Sequence, residues 1–202
     1  MTTARRSADA PRRPGRPRSD QSRRAILAAT LELLASHGFT GLTMSGVASR
    51  AGASTATVYR WWRSKIDLVV DAVTSIGADQ PVPDTGSLRG DCREFALRII
   101  DVLTGTSTGP VVVGLVGDAN RHPELAQALR EHVLAERLPG DVAMLQRAVA
   151  RGEMDPAVDP ELALELLVGP IYTRLLVTGR EISPDLADQL ADLVVHAVAP
   201  RR

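Results

Sequence analysis

The chain has 202 residues, 44% of them apolar, and a formal net charge of zero. That length fits one compact domain or a small domain followed by a medium one, and the apolar share is ample for a buried core. Cys92 is the single cysteine, which excludes an internal disulfide framework and agrees with a reducing compartment. It is expected to be a small core or surface residue.

The zero charge conceals a division. Residues 1 to 70 carry 12 Arg and Lys against 4 Asp and Glu, whereas residues 71 to 202 carry 12 against 20. The first part suits a polyanionic partner and the second does not. The Arg-rich start holds no apolar run and so is no secretory signal. The longest apolar stretch, Val111 to Val116, is far too short to span a bilayer, and a cytoplasmic location with no membrane partner is expected.

Taken in chain order, residues 1 to 19 hold Pro11, Pro14 and Pro17 among six arginines. They are expected to form a mobile basic arm rather than a packed element. Within it, Gly15-Arg16-Pro17-Arg18 reads as an extended ribbon, because proline pushes the residue before it away from the helical region. It is similar to the core of an AT-hook, with Arg16 and Arg18 as candidates for a narrow A·T-rich minor groove. The alternative, a basic tail adding only nonspecific attraction, stays open.

A first helix is predicted from about Ser22 to Ser36, with Ile26, Leu27, Ala29, Leu33 and Leu34 inward and Gly38 ending it. Thr43 then caps a helix starting at Met44, whose Val47, Ala48 and Ala51 share one face. Gly52 ends that helix by tolerating a left-handed backbone. Ser54 caps the next, which carries Val58 and Trp62 inward and leaves Thr55, Ala56, Thr57, Tyr59, Arg60 and Trp61 for other faces. Ser64 caps a fourth helix with Lys65 in its first turn. Two short helices joined by a tight turn make a helix-turn-helix, and the outer face of the second suits a major groove.

Residues 77 to 86, with Gly77, Pro81, Pro83 and Gly86, read as a linker. A helix capped by Ser87 follows to Leu103, then one starting at Pro110 and one from His122 with Pro123 at its first position. Pro139-Gly140 is expected to break the chain, with Asp141 capping a helix from Val142 to Ala150. Another runs from Glu161 to Thr178, kinked at Gly169-Pro170, and the last begins at Ser183-Pro184. No stretch alternates apolar and polar residues as a strand would, so the fold class expected is all-α. The domains read as a basic arm (1 to 19), a DNA-binding unit (20 to 70) and a larger helical unit (71 to 202).

The run Ala48-x-x-Ala51-Gly52-x-Ser54-x-x-Thr57-x-Tyr59, followed by Trp62 and Ser64-Lys65-x-x-Leu68, resembles the TetR family of bacterial transcriptional regulators. Upstream, Ile26, Ala28, Ala29, Leu33, Gly38 and Thr43 sit where that family keeps its first helix, its glycine turn and its capping threonine. The motif covers roughly residues 22 to 70; beyond it the match is one of helical layout and of phrases such as Arg151-Gly-Glu153. The family often has Gly and His where this chain has Ala56 and Trp61.

The resemblance implies a homodimeric repressor on a palindromic DNA operator, released by a small-molecule effector, with no cofactor. Thr43, Tyr59 and Lys65 are the candidates for phosphate contacts. Thr55, Ala56, Thr57 and Arg60 are expected to face bases or the adjoining backbone. The last two helices carry more leucines than one buried stripe needs, from Leu162 to Leu176 and from Leu186 to Val194, and are expected to pack against their symmetry mates. Val73, Leu97, Ile100, Leu115, Met144 and Leu145 are expected to wall an effector cavity mostly lacking charge, suited to an aliphatic or mixed ligand.

Other chemistry finds no motif. Gly114 and Gly117 lack the third glycine of a dinucleotide turn, and Thr104 to Gly109 lacks the Gly-Lys-Ser/Thr of a phosphate loop. No histidine pair has metal-ligand spacing and no serine sits in a nucleophile elbow, so neither a metal site nor catalysis is expected. A constitutive helix-turn-helix protein without ligand control remains the alternative function.

Overall fold

The computed structural model describes residues 16 to 76, 80 to 105 and 107 to 200. Among them the chain is helical with no strand: α1 (Arg16–Gly41), α2 (Met44–Arg50), α3 (Thr55–Trp61), α4 (Lys65–Thr74), α5 (Leu88–Thr104), α6 (Gly109–Ala119), α7 (Pro123–Ala128), α8 (Ala135–Ala150), α9 (Pro160–Thr173) and α10 (Asp185–Val198). Leu129–Leu134 and Arg174–Thr178 are wide π-type turns that continue α7 into α8 and extend α9.

The caps read from sequence organise the first half. Thr43, Ser54, Ser64 and Ser87 each accept a backbone N–H in the first turn of the helix they precede. At Ser64 the arrangement is a full capping box, with Asp67 accepting in return from the Ser64 N–H at 3.0 Å. Gly52 has φ +64, the left-handed value that lets Ala53 turn back and donate to the Ala48 carbonyl at 2.9 Å.

Three expectations are corrected. Residues 16 to 18 are helical, not extended: α1 opens at Arg16, and Pro17 stands in its first turn, where the missing N–H would have had no partner. The extended ribbon is therefore not the conformation of Arg16 and Arg18; Gly15 and the rest of the arm lie outside the described residues. Secondly, Pro139-Gly140 does not break the chain, because α8 runs through it to Ala150. Pro139 is exposed, and so is Ala135, whose carbonyl it cannot serve, so water can satisfy that group. Thirdly, Asp141 lies in mid-helix and caps nothing. Helix α9 continues through Gly169-Pro170 to Thr173, and a wide turn follows from Arg174.

Two apolar cores result. One joins Ile26, Leu34, Phe39, Val47, Val58, Trp62, Leu68 and Val69 from α1 to α4 with Val111 and Leu115 of α6 and Leu125 of α7. The other gathers α5, α8, α9 and α10 around residues such as Cys92, Met144, Leu145, Leu167, Ile171 and Leu190. Burial pushes the Cys92 thiol up to about 12, and neighbouring Asp91 adds to the shift, so it is an inert core residue. Helix α6 thus belongs in packing to the N-terminal core, although it follows α5 in the chain.

The end of α4 and the stretch around Pro81 and Pro83 are strapped down. Arg137 of α8 donates to the carbonyls of Thr74 and Ile76, Arg98 of α5 to that of Pro81, and Arg147 of α8 to that of Pro83. On the opposite side, Asp71 of α4 accepts from both Arg23 of α1 and the Trp62 indole N–H, at 2.6 and 2.8 Å. Asp71 therefore fixes the angle between α1, the end of α3 and α4. Asp71→Ala, which orphans the indole N–H and the guanidinium together, is expected to cost about 1.5 to 3 kcal/mol. Asp71→Asn keeps an acceptor for the indole and should cost less. Urea unfolding followed by tryptophan fluorescence measures both.

Candidate nucleic-acid interface

Helix α3 is two turns long, and what faces outward is set by what faces in. Val58 is fully buried and Trp62 nearly so; their spacing of four puts both on the inner side. Thr55, Ala56, Tyr59 and Arg60 are consequently exposed, Thr57 half-buried, and Trp61 stands at the rim while Trp62 is core. The two indoles lie 6.1 Å apart, so the outer ring rests on the buried one. Thr57 is also drawn into the cap, its hydroxyl 2.8 Å from Ser54 Oγ. The protruding face is small at its N-terminal end and larger toward Tyr59 and Arg60. That shape allows the start of the helix to approach base edges while the bulkier residues reach the groove walls.

Thr43 is exposed, with its hydroxyl accepting from Gly46 N–H at 3.0 Å, and can still donate. Lys65 is more constrained than its position suggests. Its ammonium donates to the Phe39 carbonyl at 2.9 Å and lies 4.1 Å from the centroid of the Phe39 ring. Two of its three protons are left for a phosphate.

Phe39 is the centre of a node that sequence reading missed. Gly38, at φ +66, reverses the chain at the end of α1, and the Phe39 N–H then donates to Asp118 Oδ2 of α6 at 2.7 Å. A Cβ at position 38 would stand 3.1 Å from that same oxygen, so the carboxylate needs the glycine on both counts. Asp118 is 8% exposed, and its other oxygen meets Arg121 at 3.3 Å. His122 closes the node, its ring edge-on to Phe39 at 5.0 Å and its Nε2 3.3 Å from Thr40 Oγ1. The available signal was a lone carboxylate at the end of the apolar run from Val111 to Val116.

A cavity of about 870 Å³ lies beyond α6, walled by α4 to α9 and by the wide turn between α7 and α8. Of the expected wall residues, Val73 and Leu115 line it. Ile100, Met144 and Leu145 are instead buried in the C-terminal core, with Leu97 packed against it. Helix α5 turns Phe95 and Ile99 toward the cavity rather than Leu97 and Ile100, a rotation its apolar residues on several faces could not disclose. The wall also holds Arg130, Arg137, Asp141, Glu161 and Glu165, so it is not free of charge. Burial pushes the Asp141 carboxyl up to about 6 against the pull of Arg137 and Arg98, and it also raises the Tyr172 phenol.

Comparison with known proteins bears on both halves. Residues 26 to 72 match the family model described as bacterial regulatory proteins, tetR family, and residues 82 to 194 match that of the tetracyclin repressor-like C-terminal domain. The chain is 35% identical over 184 residues to the uncharacterized HTH-type transcriptional regulator YdeS of Bacillus subtilis, covering 91% of each chain. Among solved structures it is similar to the TetR family transcription regulator SCO0332, with a TM-score of 0.72 and 31% identity over 89% of this chain and 100% of that one. FadR from Bacillus subtilis, solved in complex with stearoyl-CoA, shares the fold, with a TM-score of 0.70 at 20% identity over 87% of this chain and 98% of that one.

The node makes a prediction independent of DNA. Asp118→Ala leaves the Phe39 N–H buried without an acceptor and is expected to cost about 2 kcal/mol. Asp118→Asn can still accept through its amide oxygen and should cost less. Thermal unfolding of the two variants beside the parent checks the order.

Proposed function

The chain belongs to the TetR family of helix-turn-helix transcriptional regulators, and from that premise we propose that it acts as a homodimeric repressor released from a palindromic operator by a small-molecule effector. Its residues divide, in this reading, into the DNA reader at 20 to 70 and the effector and dimerisation unit at 71 to 202, working in the cytoplasm. The observation that carries the reading is that reader and cavity share elements. Helix α4 begins with Lys65 beside the reader and brings Val73, with Ile76 just past its end, to the cavity, and α6 joins the cavity wall to the Phe39 node. A relative of the same fold solved with stearoyl-CoA supports a small amphipathic effector in the helical half.

In this reading Thr43, Tyr59 and Lys65 grip phosphates, while Thr55, Ala56, Thr57 and Arg60 meet bases or the adjoining backbone. Arg16 and Arg18, in the first turns of α1, add charge beside the duplex. The two recognition helices of a dimer enter successive major grooves about 34 to 36 Å apart. An exposed apolar stripe on the last two helices supports the dimer. Leu164, Leu167, Ile171, Leu186, Leu190 and Val194 are buried within the chain, whereas Leu162, Leu166, Leu176 and Leu193 remain 42% to 66% exposed, enough apolar surface to need a second partner.

Three measurements test the reading. An operator selected from randomised duplexes is expected to be palindromic, and a small molecule that stabilises the protein should weaken its binding. Lys65→Ala is expected to lower affinity for every sequence alike and to flatten the salt dependence by about one unit, since a phosphate contact carries no base information. A changed base preference would remove Lys65 from that role. Leu166→Glu with Leu193→Glu is expected to leave a 21.6 kDa monomer in sedimentation at micromolar concentration, against a dimer for the parent. A parent that is itself monomeric sinks the dimer.

A further inference from the structure

Resting on the ligand-controlled reading above, we propose that the cavity takes a lipophilic cation, an aliphatic or mixed body ending in an ammonium group, with Asp141 as its counter-ion. The cavity's volume of about 870 Å³ falls in the range of small-molecule sites, and residues such as Val73, Ile99, Leu115, Val133 and Leu164 make its body apolar. Three carboxylates and two guanidinium groups stand in the wall, a count that decides little. Their partners decide more.

Arg137 precedes Asp141 by one turn of α8, the spacing at which an ion pair ordinarily forms on a helix. Here the guanidinium is engaged instead by the carbonyls of Thr74 and Ile76 at the end of α4. Asp141 is left half-buried with no hydrogen bond or ion pair within reach among the described residues, Arg98 and Arg137 acting on it only from a distance. Its carboxyl, pushed up to about 6 by burial, is still ionised at pH 7.5 with no protein donor among the described residues to hold it.

Each class of occupant meets this group differently. A neutral chain would strip more water from Asp141 and offer nothing in return. An anion would face Asp141, the half-buried charge of the wall, and would find Arg137 committed to carbonyls; Arg130, Glu161 and Glu165 are all exposed and offer it no net attraction. A cation supplies the missing partner, and the same wall holds Phe95 and Tyr172, aromatic side chains of the kind that attract positive charge.

The probes are decyltrimethylammonium, decanoate and decanol, which share one chain and differ in the head group. Calorimetric titration of the full-length protein at pH 7.5, below micellar concentrations, is expected to show the ammonium binding at least about tenfold tighter than the other two. Asp141→Asn should erase that preference while leaving decanol unchanged. The variant should melt no lower than the parent at pH 8, since the amide removes a desolvated charge, so loss of binding is not loss of fold.

Lowering the pH through about 6 protonates Asp141 and should weaken the ammonium but not decanol. The other charged groups facing this site are Arg98 of α5, Arg130 of the wide turn, Arg137 of α8, and Glu161 and Glu165 of α9; the arginines do not titrate in this range. Tightest binding by decanoate or decanol, or a preference unchanged in Asp141→Asn, overturns the assignment. If decanoate or decanol also releases the operator, ligand control stands and only the charge class falls. If none of the three binds while operator binding is intact, the cation site falls, and ligand control is judged separately by whether any small molecule that stabilises the protein weakens operator binding.

Discussion

The backbone of a single residue, Phe39, ties the reader to the rest of the molecule. The Phe39 N–H is held by Asp118 of α6, and the Phe39 carbonyl by Lys65 at the start of α4. Because Asp118 is buried, that bond cannot be exchanged for water without opening the corner between α1 and α2. The end of α6 therefore moves together with that corner or breaks a hydrogen bond that is expensive to lose. Lys65 is in the same position from the other side: a phosphate that draws its ammonium outward works against a carbonyl and an aromatic face that already satisfy it.

Charge does a second kind of structural work in the segment that follows α4. Three arginines from α5 and α8 are spent on the carbonyls of Thr74, Ile76, Pro81 and Pro83, which fastens the end of α4 and the Pro81-Val82-Pro83 stretch. Pro81 and Pro83 have a carbonyl but no N–H to offer, and a guanidinium supplies donors for such carbonyls. Since Arg137 is also part of the cavity wall, the contents of the cavity and the position of the end of α4 are in contact through one side chain.

Apolar surface is distributed to match. The N-terminal core borrows Val111, Leu115 and Leu125 from α6 and α7, because a unit as small as the reader cannot bury enough by itself. In the C-terminal half, α10 offers a narrow inner stripe to α5 and α9. The ion pairs of Arg89 and Arg93 with Asp188 and Asp192 run along its edge, while Leu193 stays outside.

Local signals carried the reader and little beyond it. The hydroxyl caps at Thr43, Ser54, Ser64 and Ser87, the left-handed turn at Gly52 and the separation of Trp61 from Trp62 follow from nearest-neighbour chemistry and helical period, so they were legible in the residues alone, and with them the family and the all-α class. The start of α1, the course of the chain through Pro139 and the side of α5 that meets the cavity were not. Each depends on what packs against the helix or on whether water reaches a carbonyl, and those are tertiary facts. The same holds for Asp118 and Phe39, which stand 79 residues apart; no local pattern relates them, and only folding α6 onto the corner after Gly38 brings the carboxylate to the Phe39 N–H.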